Sequence, residues 1–386
     1  MDKSRIIPMV KKIVILGSTG SVGKSVLEVV SHLSGQIVVE GLAARENTEL
    51  LQQQIIQFQP KIASLYSKQA AHTLQQSSSI PIRAGLQGLI EMATLDSADL
   101  IIFSMSGMEG LLPAIHALNA KKNIAIANKE LLVSAGEILM KLSRDKGVQI
   151  FPLDSEHNAI FQCLEGNRRE DVSRIILTAS GGPFHTFSKE QMHSITIADA
   201  LHHPIWKMGN KISIDSSTLM NKGLEMIEAK ALFGLSIEQI DVIIHPQSIA
   251  HSFVEFVDGC LLAQMGRPSM LTPIQHVLTY PVRQKASIPY FSFLEYPELT
   301  FVQPDLERFR CLALAIEAMK IGGTAPGFLS AANEVLVARF LSGRISWLSI
   351  SEKLEHLMGS YSYPANYSVE TILSIDQEAR KLARDI

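Results

Sequence analysis

The chain has 386 residues, more than one ordinary hydrophobic core serves, so two or three domains are expected. A hydrophobic share of 46% with 19% charged residues excludes a disordered or fibrous chain, and a net charge of −3 offers no basic field for nucleic acid. Three widely spaced cysteines, Cys163, Cys260 and Cys311, include no Cys-x-x-Cys, which argues against a disulfide framework or zinc site and fits a reducing cytoplasm. The stretch Met1 to Val10 is basic but short and broken by Pro8, and a strand follows at once, so neither a secretory nor a transit peptide is expected. No run of eighteen apolar residues predicts a membrane span.

Lys12 to Leu16 reads as a buried strand that runs into Gly17-Ser18-Thr19-Gly20-Ser21-Val22-Gly23 and then a helix carrying Val26, Val29 and Val30. Glycines belong where the backbone turns tightly and approaches a pyrophosphate, and the helix N-terminus attracts the anion, so a dinucleotide is expected here. A second strand, Ile37 to Ala43, ends at Ala44-Arg45-Glu46-Asn47, where such folds inspect the adenosine ribose. Arg45 points to the 2′-phosphate of NADP, and Glu46 beside it pulls toward NAD. Apolar runs at Ile62 to Tyr66, Leu100 to Phe103, Ile124 to Ala127 and Val148 to Leu153 alternate with helical stretches such as Glu109 to Ala120, which predicts a parallel, doubly wound sheet. Asn128-Lys129-Glu130 closes one of these strands. It is expected on the same carboxyl edge as the glycine loop.

The last of these runs leads to Asp154 and Glu156. If it is a strand, side chains two apart share a face, and two adjacent carboxylates invite a hard divalent cation. Taken in isolation, an acidic pair reads first as a solvated loop after a strand, and the rest of the chain has to carry the metal reading. Beyond it, Arg174 to Thr178 is a predicted strand ending in Ala179-Ser180-Gly181-Gly182-Pro183-Phe184, a small-residue turn suited to an anion. The stretch Thr186 to Lys211, with His202, His203, Pro204, Trp206 and Met208, has weak periodicity and reads as a lid. Lys211 to Ile214 is expected as a strand, followed by Ser216 and by a helix, Leu219 to Leu232, that presents Asn221, Lys222 and Glu225 on one side.

Ile240 to Ile244, Ala250 to Val257 and Leu261 to Met265 predict a second sheet with a hairpin at Asp258-Gly259, and its apolar strands suit a dimer surface. Pro281 to Pro304 reads as an extended linker. Helices are predicted at Leu312 to Lys320, Ser330 to Leu341, Ser351 to Met358 and from Ser368, the last placing Ile372, Ile375, Ala379 and Leu382 on one face. Together these signals describe a metal-assisted oxidoreductase acting on a phosphorylated carbonyl compound.

The ordered blocks Gly17 to Gly23, Ala127 to Glu130, Leu153 to Gln162, Thr178 to Phe184, His203 to Gly209, Met220 to Glu225 and Ala332 to Val335 closely resemble the 1-deoxy-D-xylulose 5-phosphate reductoisomerase family over nearly the whole chain. The sequence departs from the family pattern at Ser104 to Gly110 and at Ser269, which stands where an aspartate is common. The resemblance implies an α/β chain. It would comprise a Rossmann-like NADP-binding domain (1–153), a central α+β catalytic domain with a mixed sheet, flap and dimer interface (154–280), a linker (281–305) and a C-terminal helical bundle (306–386). It implies NADPH and Mg²⁺ or Mn²⁺, with Co²⁺ as a further option, a phosphorylated sugar substrate, a homodimer and a cytoplasmic location.

The same resemblance implies Asp154, Glu156 and Glu225 as metal ligands. It implies Ser180, Ser216, Asn221 and Lys222 around the substrate phosphate, Ser155, Lys129 and His203 on the substrate's other oxygens, and Trp206 on a closing flap. For the cofactor it implies Thr19, Gly20, Ser21, Val22, Ala44, Arg45, Asn47, Asn128, Glu130, Gly209 and Met270. A metal-free semialdehyde dehydrogenase would instead need a reactive thiol, for which Cys163 is the candidate, and an NADP sensor would bind cofactor without turnover.

Overall fold

The computed structural model describes residues 10–206 and 208–386, so the expectations resting on residues 1–9 and on Lys207 lie outside it. Chain contacts divide it into two compact units. The first comprises residues up to Asn128, Leu139–Asp154 and Ser269–Pro289, and the second Lys129–Ile138, Ser155–Pro268 and Tyr290–Ile386.

The first unit is built on a seven-stranded sheet: β1 (Lys11–Leu16), β2 (Ile37–Ala44), β3 (Ile62–Leu65), β4 (Ile82–Ala84), β5 (Leu100–Phe103), β6 (Asn123–Ile126) and β7 (Ile150–Pro152). The order is β4-β3-β2-β1-β5-β6-β7, and every adjacent pair is parallel. Helices cover both faces, which is why Ile13 to Leu16 and Ile101 to Phe103 are apolar throughout and wholly buried. The order reverses between β1 and β5, and ligands of open α/β sheets bind at that switch. The short edge strand β4 had no sequence signal, because three residues with one buried side chain show no periodicity.

The second unit holds a mixed sheet of β8 (Val172–Ala179), β9 (Ile240–Ile244), β10 (Ala250–Phe256) and β11 (Leu261–Met265), in the order β11-β10-β8-β9. β8 and β9 are parallel, and the other pairings are antiparallel. Four helices close the chain: Arg310–Ile321, Ala325–Leu341, Trp347–Ser360 and Val369–Asp385. On the last, Ile372, Ile375 and Ala379 are buried as expected, with Ala383 rather than Leu382 completing the face. Within the expected linker, Val302 exchanges two backbone hydrogen bonds with Ile244, at 2.8 and 2.9 Å.

Two local expectations are corrected. Lys211 to Ile214 is not a strand but part of the helix Asn210–Ser217. The alternating Ile212 and Ile214 imitate period two over only four residues, whereas the ion pair of Lys211 with Asp215 at 2.9 Å needs the i, i+4 spacing of a helix. Asp154 and Glu156 do not share a strand face either. β7 stops at Pro152, and Glu156 lies in the first turn of the helix Ser155–Leu164, where a carboxylate is favoured by the helix dipole.

Candidate functional site

Gly17 to Gly20 leave β1 and enter the helix Ser21–His32. Gly17 has φ +100°, and a side chain there would meet Met105 N at 2.5 Å, so glycine lets the loops after β1 and β5 touch. Ser18 is pinned by Gln54, which accepts its hydroxyl at 2.7 Å and donates to its carbonyl at 2.9 Å. The cleft beside these loops is lined by Thr19, Gly20, Ala44 and Arg45 among the expected cofactor residues, and also by Tyr66, Leu89, Ser104, Met105 and Glu109. Ser104 and Met105 directly follow β5 at the switch and Tyr66 follows β3, a positional signal without a motif, whereas Leu89 comes from the helix Gly85–Ala93. Arg45 is largely exposed and lies 3.4 Å from Glu109.

The other expected cofactor residues occupy varied positions. Ser21 and Val22 open the helix Ser21–His32, and Asn47 caps the helix Thr48–Phe58 by accepting from Leu50 N at 3.1 Å. Buried Asn128 donates to Gly107 O at 2.8 Å, and Glu130 pairs with Lys211 at 3.1 Å. Gly209 precedes the helix Asn210–Ser217, and Met270 precedes the helix Leu271–Thr279.

Asp154, Glu156 and Glu225 each offer a carboxylate oxygen, and the three atoms lie within 4.8 Å of one another. Glu225 comes from the middle of the helix Met220–Phe233 and is buried, so its charge demands compensation. Lys129 Nζ lies 3.5 Å from Glu225 and 3.4 Å from Glu228, while Lys222 pairs with Glu225 and stands 3.8 Å from Glu156. Asn221 Nδ2 donates to Glu225 at 2.5 Å, leaving its own buried Oδ1 without a hydrogen-bond partner. Ser155 Oγ donates to Glu156 at 2.9 Å. Three hard oxygen donors at this separation fit a divalent cation of the Mg²⁺ or Mn²⁺ class. Glu228, a further carboxylate of the same helix that no sequence motif singled out, is buried beside Lys129.

Ser180 lies at the end of β8 and His203 in the irregular stretch before the helix Asn210–Ser217. His203 Nδ1 accepts the backbone N–H groups of Ile205 at 3.1 Å and Trp206 at 2.9 Å. The ring proton therefore sits on Nε2, which donates to Ser180 Oγ at 2.9 Å. Burial lowers the His203 pKa to about 4, so the ring is neutral. Ser180 Oγ also accepts Gly182 N at 3.2 Å, and Gly182, with φ +64°, packs its backbone on Ser216. Leu219 adopts left-handed φ 59° between two helices, which turns the chain sharply from Ser216 toward Asn221 and Lys222. Trp206 is half-buried.

A thiol nucleophile finds no support. Cys163 is buried and burial pushes its pKa up to about 11, the opposite of an activated thiolate.

Comparison with known proteins covers almost the whole chain. The family model described as "1-deoxy-D-xylulose 5-phosphate reductoisomerase" matches residues 13–136, and its C-terminal domain models match 150–233 and 265–382. A 1-deoxy-D-xylulose 5-phosphate reductoisomerase of Protochlamydia amoebophila is 52% identical over 376 residues, covering 97% of each chain. One from Thermoanaerobacter pseudethanolicus is 46% identical over 374 residues, covering 96% of this chain and 98% of its own. The enzyme from Zymomonas mobilis in complex with NADPH is 40% identical with a TM-score of 0.91, covering 97% of this chain and 98% of that one. A reductoisomerase in complex with NADPH, fosmidomycin and magnesium is 36% identical, with a TM-score of 0.92 and the same coverage.

Proposed function

This chain belongs to the 1-deoxy-D-xylulose 5-phosphate reductoisomerase family, and from that premise we propose how its own residues divide the work. The enzyme is an NADPH- and divalent-metal-dependent oxidoreductase that converts 1-deoxy-D-xylulose 5-phosphate to 2-C-methyl-D-erythritol 4-phosphate in non-mevalonate isoprenoid biosynthesis.

The observation that carries the assignment of roles is the carboxylate cluster of Asp154, Glu156 and Glu225. These three hold the cation, Mg²⁺ or Mn²⁺, which when bound supplies Lewis-acid polarisation of the substrate's ketone and hydroxyl oxygens, while NADPH supplies the hydride. Lys129 and Lys222 balance the carboxylate charge, and Lys129 with Ser155 and His203 orients the substrate oxygens. His203, neutral with its proton on Nε2, donates a hydrogen bond rather than a charge. Ser180, Ser216, Asn221 and Lys222 bind the phosphate, and the unpaired Oδ1 of Asn221 is an acceptor available to a protonated ligand oxygen. Phosphate bound away from the reacting carbons contributes binding energy that draws Trp206 and its segment over the substrate and excludes water.

NADPH is assigned to Thr19, Gly20, Ser21, Val22, Ala44, Arg45 and Asn47, with Asn128, Glu130, Gly209 and Met270 at the nicotinamide end. Residues 1–153 serve the cofactor, 154–280 the metal and substrate, 281–305 link, and 306–386 support. A homodimer is supported by edge strand β11, whose Leu261 and Leu262 are 50% and 38% exposed. A cytoplasmic location is supported by three cysteines that remain unpaired. Among the described residues no helix is long and apolar enough to cross a membrane.

Titrating Mn²⁺ into the purified chain, with heat as the readout, tests the ligand set. Glu225→Gln should weaken binding by about a hundredfold or more, since it removes a charged ligand and one of the carboxylates that offset Lys222 and Lys129. Unchanged Mn²⁺ affinity in that variant would refute it.

A further inference from the structure

At the end of the candidate lid lies a largely buried ion cluster to which the roles above give only one member, Glu130. Lys211, second residue of the helix Asn210–Ser217, places its ammonium 2.9 Å from Asp215 and 3.1 Å from Glu130. The Asp215 side chain is 1% exposed and that of Glu130 8%. Burial opposes the charge on Lys211, yet Asp215, Glu130 and Glu334 together raise its pKa well above the ordinary lysine value. The ammonium therefore stays charged throughout the working range.

The cluster continues into the C-terminal helices. Asp215 Oδ1 accepts Asn333 Nδ2 at 2.7 Å, and Ser217 Oγ accepts Trp347 Nε1 at 2.9 Å. Glu334 pairs with Arg380, which also binds Asp376 at 2.9 Å. Glu130 in turn follows Lys129, whose ammonium faces Glu225 and Glu228. Lys211 is thus the member that connects two elements distant in sequence: the helix bearing Ser216 and the start of the helix bearing Lys129.

We propose that Lys211 is a positioning residue of the reaction: by joining Asp215 to Glu130 it fixes Ser216 and Lys129 in one register, with the C-terminal helices as its abutment. The inference rests on the reading of Ser216 as a phosphate ligand. Without the ammonium, Asp215 and Glu130 are two buried carboxylates with no shared counter-ion, and one or both must turn toward water. Either movement displaces the helix end that carries Ser216 or the turn that carries Lys129.

The test uses the full-length enzyme with NADPH and Mg²⁺, with inorganic phosphate as a competitive inhibitor against 1-deoxy-D-xylulose 5-phosphate. Lys211→Met should raise KM and the phosphate inhibition constant together by about tenfold, and lower kcat, in the range found for supporting residues behind a ligand. Lys211→Arg, which keeps the charge, should recover most of the loss. A folded Lys211→Met with a lowered melting temperature but unchanged KM and phosphate inhibition would overturn the proposal and leave a purely structural pair. If Lys211→Met does not fold, the Lys211→Met, Asp215→Asn double variant, with both charges removed, takes its place under the same criterion. Ser216→Ala runs alongside: normal phosphate inhibition there contradicts the phosphate reading itself. Impaired inhibition in Ser216→Ala with normal inhibition in the Lys211 variants contradicts only the positioning role.

Discussion

Gly182 is where one added methyl group probes the phosphate reading most sharply. Its φ of +64° costs an alanine about 1 kcal/mol in backbone energy. The new Cβ would stand 2.7 Å from Ser216 O and 3.1 Å from both Ser216 C and Ser217 Cα. These are backbone atoms of a helix end, so no side chain can swing away. Restoring the oxygen to an ordinary 3.4 Å contact requires a retreat of about 0.7 Å, and overpacking of that kind costs about 1–3 kcal/mol. The sum, about 2–4 kcal/mol, lowers the melting temperature by roughly 5–15 °C for a unit of this size. Ser216 and the Ser180 turn are forced apart in the process. If both hold one phosphate, Gly182→Ala weakens inhibition by inorganic phosphate about tenfold or more, because misplacing a binding group by a fraction of an ångström forfeits its hydrogen bond. Thermal melting and steady-state inhibition read the two effects separately. A lowered melting temperature with unchanged phosphate inhibition would refute the idea that these two elements share a ligand.

Two further outcomes follow from the geometry. Gly17→Ala, with φ +100° and a Cβ 2.5 Å from Met105 N, should raise the NADPH dissociation constant more than about tenfold in a fluorescence titration, while Mn²⁺ binding stays unchanged; equal loss of both would mean general unfolding. His251 is 5% exposed, and burial, with smaller contributions from His245 and Lys222, lowers its pKa to about 4. The native ring is neutral while the unfolded one takes a proton below its ordinary 6.5, so this stability is complete above pH 6.5. It falls as pH drops toward 4, by about 3 kcal/mol at the end of that window. Urea unfolding at pH 7.5 and 5 should show a smaller acid loss in His251→Asn than in the wild type; an identical loss would contradict it.

The fold was legible wherever periodicity ran long. β1, β2 and the C-terminal helices show their buried faces directly in sequence, and the glycine loop identified the switch point. Short segments were not legible, because four residues such as Lys211 to Ile214 satisfy both periods until a partner decides between them. The carboxylate cluster was anticipated, but on mistaken local grounds: Asp154 and Glu156 meet through a helix turn and not a strand face. The ion pairs of Glu228 and Lys211 were not legible for a common reason. Charged residues on a helix usually face water, and only the packing of the helices Met220–Phe233 and Asn210–Ser217 against the start of the helix Lys129–Lys146 brings Glu228 to Lys129 and Lys211 to Glu130.

The most direct measurement follows the absorbance of NADPH in the presence of the enzyme and 1-deoxy-D-xylulose 5-phosphate, with Mg²⁺ and then with a chelator, and identifies the product by mass. Oxidation should require both substrate and metal, and one 2-C-methyl-D-erythritol 4-phosphate should form for each NADPH consumed. NADPH oxidation that persists undiminished under chelation, or no substrate-dependent oxidation with Mg²⁺ present, would contradict the assignment of Asp154, Glu156 and Glu225 as the centre of the reaction.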